Sequence, residues 1–267
     1  MAASISINDL IKEVKKISDV EVRGLTEERP KIFTGDAFLD LFYGGGIFHP
    51  GFVYLWGGEG SSKSTYAAQI ALRFKKMNPS IIILLDTEES YDRKRWLNLG
   101  WDEKSLENSL LVLEPDYIEA IRGILNTVWE KTEGKIPVLV IWDSVSSTPS
   151  KEEYIDEMDR IGLISRALSK ELRNWKIAKY NTTFITISQF RENIGNPYAG
   201  HEPPGGRALR HKSDLTLLLS ASKPDEKIID PKAARKIKIK IQKSRLVSPG
   251  NEFEYIATNS RGFNAIF

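Results

Sequence analysis

The chain has 267 residues, 41% of them hydrophobic, enough for one large α/β domain with an ordinary core or one domain plus an extension. Its 38 Lys and Arg against 36 Asp and Glu do not announce nucleic acid globally, although a local basic stretch still can. Having no cysteine, it excludes disulfide frameworks, thiolate zinc sites and cysteine nucleophiles, and His49, His201 and His211 are too scattered for a metal cluster.

No signal peptide opens the chain and no apolar run approaches a membrane span, so the expected location is the cytoplasm, of the host cell if the chain is viral. Ser6 can cap a short N-terminal helix with Asp9 in its first turn. Ile7, Leu10, Ile11, Val14 and Ile17 then form one apolar stripe, an extended stretch covers residues 20–22, and residues 26–30 read as a linker. This 1–30 segment is too small to hold a core and must dock, on its own chain or on a neighbouring subunit. Residues 31–267 form the main body.

The apolar run Phe52-Val53-Tyr54-Leu55-Trp56 enters Gly57-Gly58-Glu59-Gly60-Ser61-Ser62-Lys63-Ser64-Thr65, and a helical pattern starts at about Ser64. Strand, glycine-rich turn and helix are the context of a phosphate-binding P-loop. Backbone N–H groups and the helix N-terminus favour phosphate oxygens. Lys63 would reach the β and γ phosphates of ATP, and Ser64 would offer its hydroxyl to Mg²⁺. Ser62 stands where G-x-x-x-x-G-K-[ST] has its second glycine, which is tolerable only if its φ is negative or the loop shifts.

Further on, short apolar runs alternate with helical patterns at residues 117–130 and 161–180. The run at 81–85, taken to lie beside the P-loop strand, ends in Asp86-Thr87-Glu88. Glu88 is the candidate to polarise an attacking water, the alternative being a solvated acidic turn with Glu89 and Asp92. The run at 138–142 ends in Asp143, a Walker B arrangement for Mg²⁺. The run at 183–188 ends at Gln189, an amide that can report a γ phosphate or simply cap the strand. Strand-like stretches at 215–219, 236–242 and 252–257 read as an antiparallel extension. Lys232, Arg235, Lys236, Lys238, Lys240, Lys243 and Arg245 make this end basic, and alternation with Ile237, Ile239 and Ile241 puts the lysines on one face. That face is a positive groove or a solvated edge. The fold class is α/β, a doubly wound, mainly parallel sheet with a C-terminal antiparallel extension and a short N-terminal helix.

Taken in order, these segments resemble the RecA family of recombinases over roughly residues 31–262. The likeness runs through Phe33-Thr34-Gly35-Asp36, Gly44 to Gly46, the P-loop, Asp86-Thr87-Glu88, Leu99-Gly100-Trp101-Asp102, Asp143-Ser144-Val145, Ser188-Gln189-Phe190-Arg191, Gly205-Gly206-Arg207-Ala208-Leu209 and Lys243-Ser244-Arg245. Ser62 is similar to the departure of UvsX-type phage recombinases, and archaeal RadA proteins are the next neighbours. The resemblance implies a RecA-like P-loop ATPase core with Glu88 as catalytic glutamate. It implies that Asp92 and Arg95 contact adenine, that Gln189 couples the γ phosphate to a DNA-binding loop, and that Lys243 and Arg245 reach a neighbour's ATP. For DNA it implies phosphate contacts from Arg166 and Arg173 and a second loop with Arg191, Asn193, Ile194, Tyr198, Gly205, Gly206 and Arg207. It also implies that the extra C-terminal domain of bacterial RecA is missing. The implied function is a DNA-dependent ATPase that forms helical filaments on single-stranded DNA and exchanges strands with homologous duplex DNA. The alternatives are a mediator paralogue without strand exchange and a ring-type ATPase of the same fold.

Overall fold

The computed structural model describes residues 12–13, 16, 28–35, 37–77, 79–156, 162–190, 206–222, 234–258 and 262–265. The readings placed on the N-terminal helix and its apolar stripe, and on Arg191, Asn193, Ile194, Tyr198, Gly205 and Lys232, lie outside the described residues.

A small ribbon comes first: β1 (Lys31–Ile32), α1 (Ala37–Phe42) and β2 (Ile47–Phe48), with β1 and β2 antiparallel. Next are β3 (Phe52–Gly57), α2 (Lys63–Phe74), β4 (Ile81–Asp86), α3 (Arg93–Asn98), α4 (Glu103–Ser109), β5 (Leu110–Leu113), α5 (Ala120–Thr132) and β6 (Val138–Asp143). A short 3₁₀ turn, Val145–Ser147, leads to α6 (Lys151–Asp156), α7 (Leu163–Asn174), β7 (Thr182–Gln189) and α8 (Gly206–Lys212). β8 (Leu215–Ser222), β9 (Ala234–Ser244), β10 (Glu252–Thr258) and β11 (Gly262–Ala265) close the described chain.

Nine strands form one sheet in the order β11-β10-β9-β8-β3-β7-β6-β4-β5. The six from β8 to β5 are parallel, and β9, β10 and β11 continue antiparallel. Continuous apolar runs suit strands covered on both faces. Alternation along β3 shows it: Val53 and Leu55 pack with Tyr66, Ala67 and Ile70 of α2, while Phe52, Tyr54 and Trp56 pack with Leu125 of α5 and Leu168 of α7.

Three sequence expectations need correction. The strand ending in Glu88's segment is not beside the P-loop strand, because β7 and β6 lie between β4 and β3. The antiparallel extension begins at β9 rather than β8, since β8 pairs parallel with β3. The helix expected over 161–180 spans only Leu163–Asn174, because Trp175 turns extended and stacks on Phe184 at 4.7 Å in the core.

β9 carries one irregularity that aims a side chain. Thr216 pairs with Lys243 but Leu217 pairs with Ile241, so Gln242 is an extra residue. A bulge of this kind sends two successive side chains to one face. Gln242 accepts from Trp56 Nε1 at 2.8 Å, and Lys243 reaches the carbonyls ending α8.

Candidate functional site

β3 delivers the chain to the sheet's carboxyl edge, where the turn must be small-residue backbone. A Cβ on Gly57 would lie 2.0 Å from the Leu219 carbonyl oxygen, and one on Gly58 would press on the Phe190 ring at 3.2 Å. Ser62 adopts φ +63°, so of the two ways to tolerate a serine here the negative φ is ruled out. The loop keeps the left-handed turn that glycine normally supplies, and Ser62 carries the strain of its Cβ. α2 starts at Lys63, one residue earlier than the pattern suggested.

Lys63 is 6% exposed and curls back on its own loop. Its Nζ donates to Gly57 O at 3.2 Å, Gly58 O at 2.8 Å and Ser61 Oγ at 3.2 Å. Burial lowers its pKa, opposed by the charges of Asp143, Glu88 and Glu59. Residues 59–65, Glu88, Asp92, Arg95, Asp143 and Gln189 all line one cavity of about 850 Å³. Gly57 and Gly58 form the turn behind it.

Glu88 reaches the cavity although its strand is two strands removed from β3. Three donor groups hold its carboxylate through four hydrogen bonds. Gln189 Nε2 donates to Oε1 at 2.9 Å and Oε2 at 3.1 Å, and Ser144 Oγ and Ser147 Oγ donate to Oε1 at 2.5 and 3.0 Å. The Gln189 backbone N–H also donates to Ser146 Oγ at 3.1 Å. The tips of β4, β6 and β7 are thereby tied into one polar cluster. The hydroxyls of residues 144–148 were not singled out from sequence; the run Ser144-Val145-Ser146-Ser147-Thr148 directly after the Walker B strand was the available signal.

Asp143 is 4% exposed. Burial pushes its pKa up to about 6; a Ser64 hydrogen bond opposes this, Glu88 and Asp86 add to it, and Lys63 opposes it. A buried carboxylate beside others calls for a cation. No cluster of three or more His, Cys, Asp or Glu among the described residues could hold a metal alone. Ser64 and Asp143 fit Mg²⁺, which takes few protein ligands and completes its octahedron with phosphate oxygens and water. Asp92 caps α3, accepting from Lys94 N at 2.8 Å and Arg95 N at 3.4 Å, so it is neither a free acidic turn residue nor remote from the cavity. Arg95 hydrogen-bonds Thr65 Oγ1.

Lys243 and Arg245 lie at the other end of the sheet. Lys243 is level with Thr216 and Tyr54, whereas the P-loop begins at Gly57. Three residues of strand span about 10 Å, so neither cation serves its own chain's loop. Lys243 Nζ donates to the carbonyls of Arg210 at 2.6 Å, His211 at 3.1 Å and Ser213 at 2.6 Å, capping α8. Arg245 Nε pairs at 3.1 Å with Asp214, which also accepts from Arg29 at 3.2 Å and from the Phe52 backbone at 2.9 Å.

Arg166 and Arg173 are exposed on α7, seven residues apart and so on one face. Gly206 opens α8 and Arg207 is exposed beside it. The face read as a positive groove or a solvated edge is neither an edge nor fully free: β10 flanks it, Lys236 pairs with Glu254, and Lys238 and Lys240 share Glu252 at 2.5 and 2.8 Å, leaving three cations against two carboxylates. No helix among the described residues is long and apolar enough to cross a membrane.

A glycine-rich loop between a central parallel strand and a helix, with a carboxylate ending a nearby strand, defines a P-loop nucleotide-binding protein. The model of the RecA N-terminal domain matches residues 5–264. RecA of Aquifex aeolicus is 30% identical over 261 residues, covering 95% of this chain and 73% of its own. RecA of Mycoplasma mycoides subsp. mycoides is 34% identical over 260 residues, covering 92% of this chain and 72% of its own. The crystal structure of the RadB recombinase shares the fold, with a TM-score of 0.66 at 21% identity over 88% of this chain and 100% of that one. The chain belongs to the RecA family of recombinases, whose functions are nucleotide binding, DNA binding and recombinational repair.

Proposed function

We propose that this protein is a cytoplasmic, DNA-dependent ATPase that polymerises on single-stranded DNA and promotes homologous pairing and strand exchange. The contact between Gln189 and Glu88 carries this reading. It joins the residue that would activate water to the strand end that leads directly into residues 191–205, the proposed DNA-binding loop. Movement of that loop would release or realign Glu88.

In this reading, Lys63 exchanges its loop carbonyls for β- and γ-phosphate oxygens. Asp143 and Ser64 would hold Mg²⁺, which when bound neutralises charge on those oxygens. Glu88 accepts a proton from water as the water oxygen bonds the γ phosphorus and the bridge to the β phosphate breaks. Arg95 offers a guanidinium plane to the base, with Asp92 beside it. Lys243 and Arg245 act on a neighbour's nucleotide, and residues 1–30 dock on the next subunit, a heterologous interface that builds an open helix. Arg166, Arg173 and Arg207 take DNA phosphates, and the 191–206 loop holds the strand.

The test is ATP hydrolysis with and without single-stranded DNA, wild type beside Glu88→Gln. Strong stimulation by DNA that vanishes in the variant supports the proposal. Hydrolysis that ignores DNA, or survives Glu88→Gln, sinks it. A second reading, a mediator paralogue without strand exchange, is favoured by the strained Ser62. Electron microscopy on single-stranded DNA separates them, since a mediator gives short or mixed assemblies.

A further inference from the structure

We propose that Arg235 is a nucleotide-binding residue acting in cis, its guanidinium contacting the phosphate chain of a nucleoside triphosphate held by the P-loop. This rests on the nucleotide-site reading above. Arg235 falls in phase with Ile237, Ile239 and Ile241, all fully buried against the α2 side of the sheet. A charged residue on that phase is carried by the register of β9 to the edge of the P-loop. One guanidinium nitrogen donates to Gly60 O at 2.8 Å. Gly60 lies close beneath it: with φ +68°, a Cβ there would lie 2.2 Å from that nitrogen.

Arginine has five N–H donors in a planar fork suited to phosphate. Among the described residues, Arg235 uses one donor and faces no carboxylate partner. The wall that β9 and β10 give to the cavity consists of two cross-strand pairs, Arg235 with Ala257 and Ala234 with Thr258. Three of the four are small, so Arg235 is the long side chain of that wall. The lining as a whole has four carboxylates and four cations. Without Arg235 it turns net negative towards a polyanionic ligand.

The experiment measures affinity for fluorescently labelled ATP in wild type, Arg235→Ala, Arg235→Lys and Lys63→Ala, with melting temperatures of each with and without ATP. Arg235→Ala should weaken ATP about tenfold or more, the scale of a lost charge-assisted bond. Arg235→Lys should recover part of it, keeping charge without the fork. The nucleotide-free melting temperature of Arg235→Ala should match wild type because the side chain is exposed, while its stabilisation by ATP shrinks. Affinity within twofold of wild type, with Lys63→Ala defective, overturns the role of Arg235 alone. A fall in nucleotide-free melting temperature that accounts for the affinity loss also overturns it, assigning Arg235 to structure. Failure of wild type to bind ATP overturns the nucleotide-site reading and this inference with it.

Discussion

Asp143 holds its charge at a cost that the Ser64 hydrogen bond and the Lys63 charge offset only in part. Burial and the neighbouring Glu88 and Asp86 raise its pKa to about 6, whereas an unfolded aspartate titrates near 4. Between those values the folded protein binds the proton and the unfolded chain does not. Stability of the nucleotide-free protein therefore falls as pH rises from about 4 to about 6 and stays low above that. Asp143→Asn should raise stability at pH 8 by about 2 kcal/mol in urea unfolding, with little gain near pH 4, while abolishing Mg²⁺-dependent nucleotide binding. A loss of stability at pH 8 would contradict this. Ser62 makes a second prediction. Its left-handed backbone is relieved by Ser62→Gly, which should stabilise by about 0.5–1 kcal/mol after glycine's greater unfolded-state entropy is counted. A thermal melt without nucleotide reads it.

The Gln242 bulge decides where Lys243 goes, and Lys243 closes the last carbonyls of α8. Lys243→Ala should cost about 1 kcal/mol in the isolated chain, since a cation at a helix C-terminus contributes on that order. Equal urea midpoints for variant and wild type would dismiss the cap. On α7, the pair Arg166→Ala, Arg173→Ala should reduce the salt dependence of single-stranded DNA binding by a log–log slope of about 1.4, for two phosphate contacts. An unchanged slope would move the DNA elsewhere. The strands themselves were readable because continuous apolar runs such as 138–142 suit a sheet covered on both sides. Asp143 and Gln189 stand out as candidates because each ends such a run, and Glu88 because it follows one by two residues. Strand adjacency was not, since an apolar run carries no address for its partner, and β4 was set beside β3. The pairing of the β9 lysines was hidden because Glu252 and Glu254 meet them only through the β9–β10 register. Arg235 stands in the alternation of β9 among several basic residues, and its sequence neighbours do not set it apart from them.

The P-loop and the pair Lys243, Arg245 occupy opposite ends of the strands, so one chain presents half of the proposed nucleotide site at each end. Lys63→Ala and a Lys243→Ala, Arg245→Ala double variant should each be inactive alone. Mixed in equal amounts on DNA, they should regain about a quarter of wild-type hydrolysis, because random order places intact partners across about one junction in four. No recovery on mixing would place both sets of residues in one chain's site. The same geometry ties rate to length. An open row of n copies has n−1 completed sites, so hydrolysis per chain should climb from about half its limit in a pair to about nine-tenths in a row of ten. A closed ring, with no unpaired end, would show no such climb, and chain length itself would set the clock of turnover and disassembly.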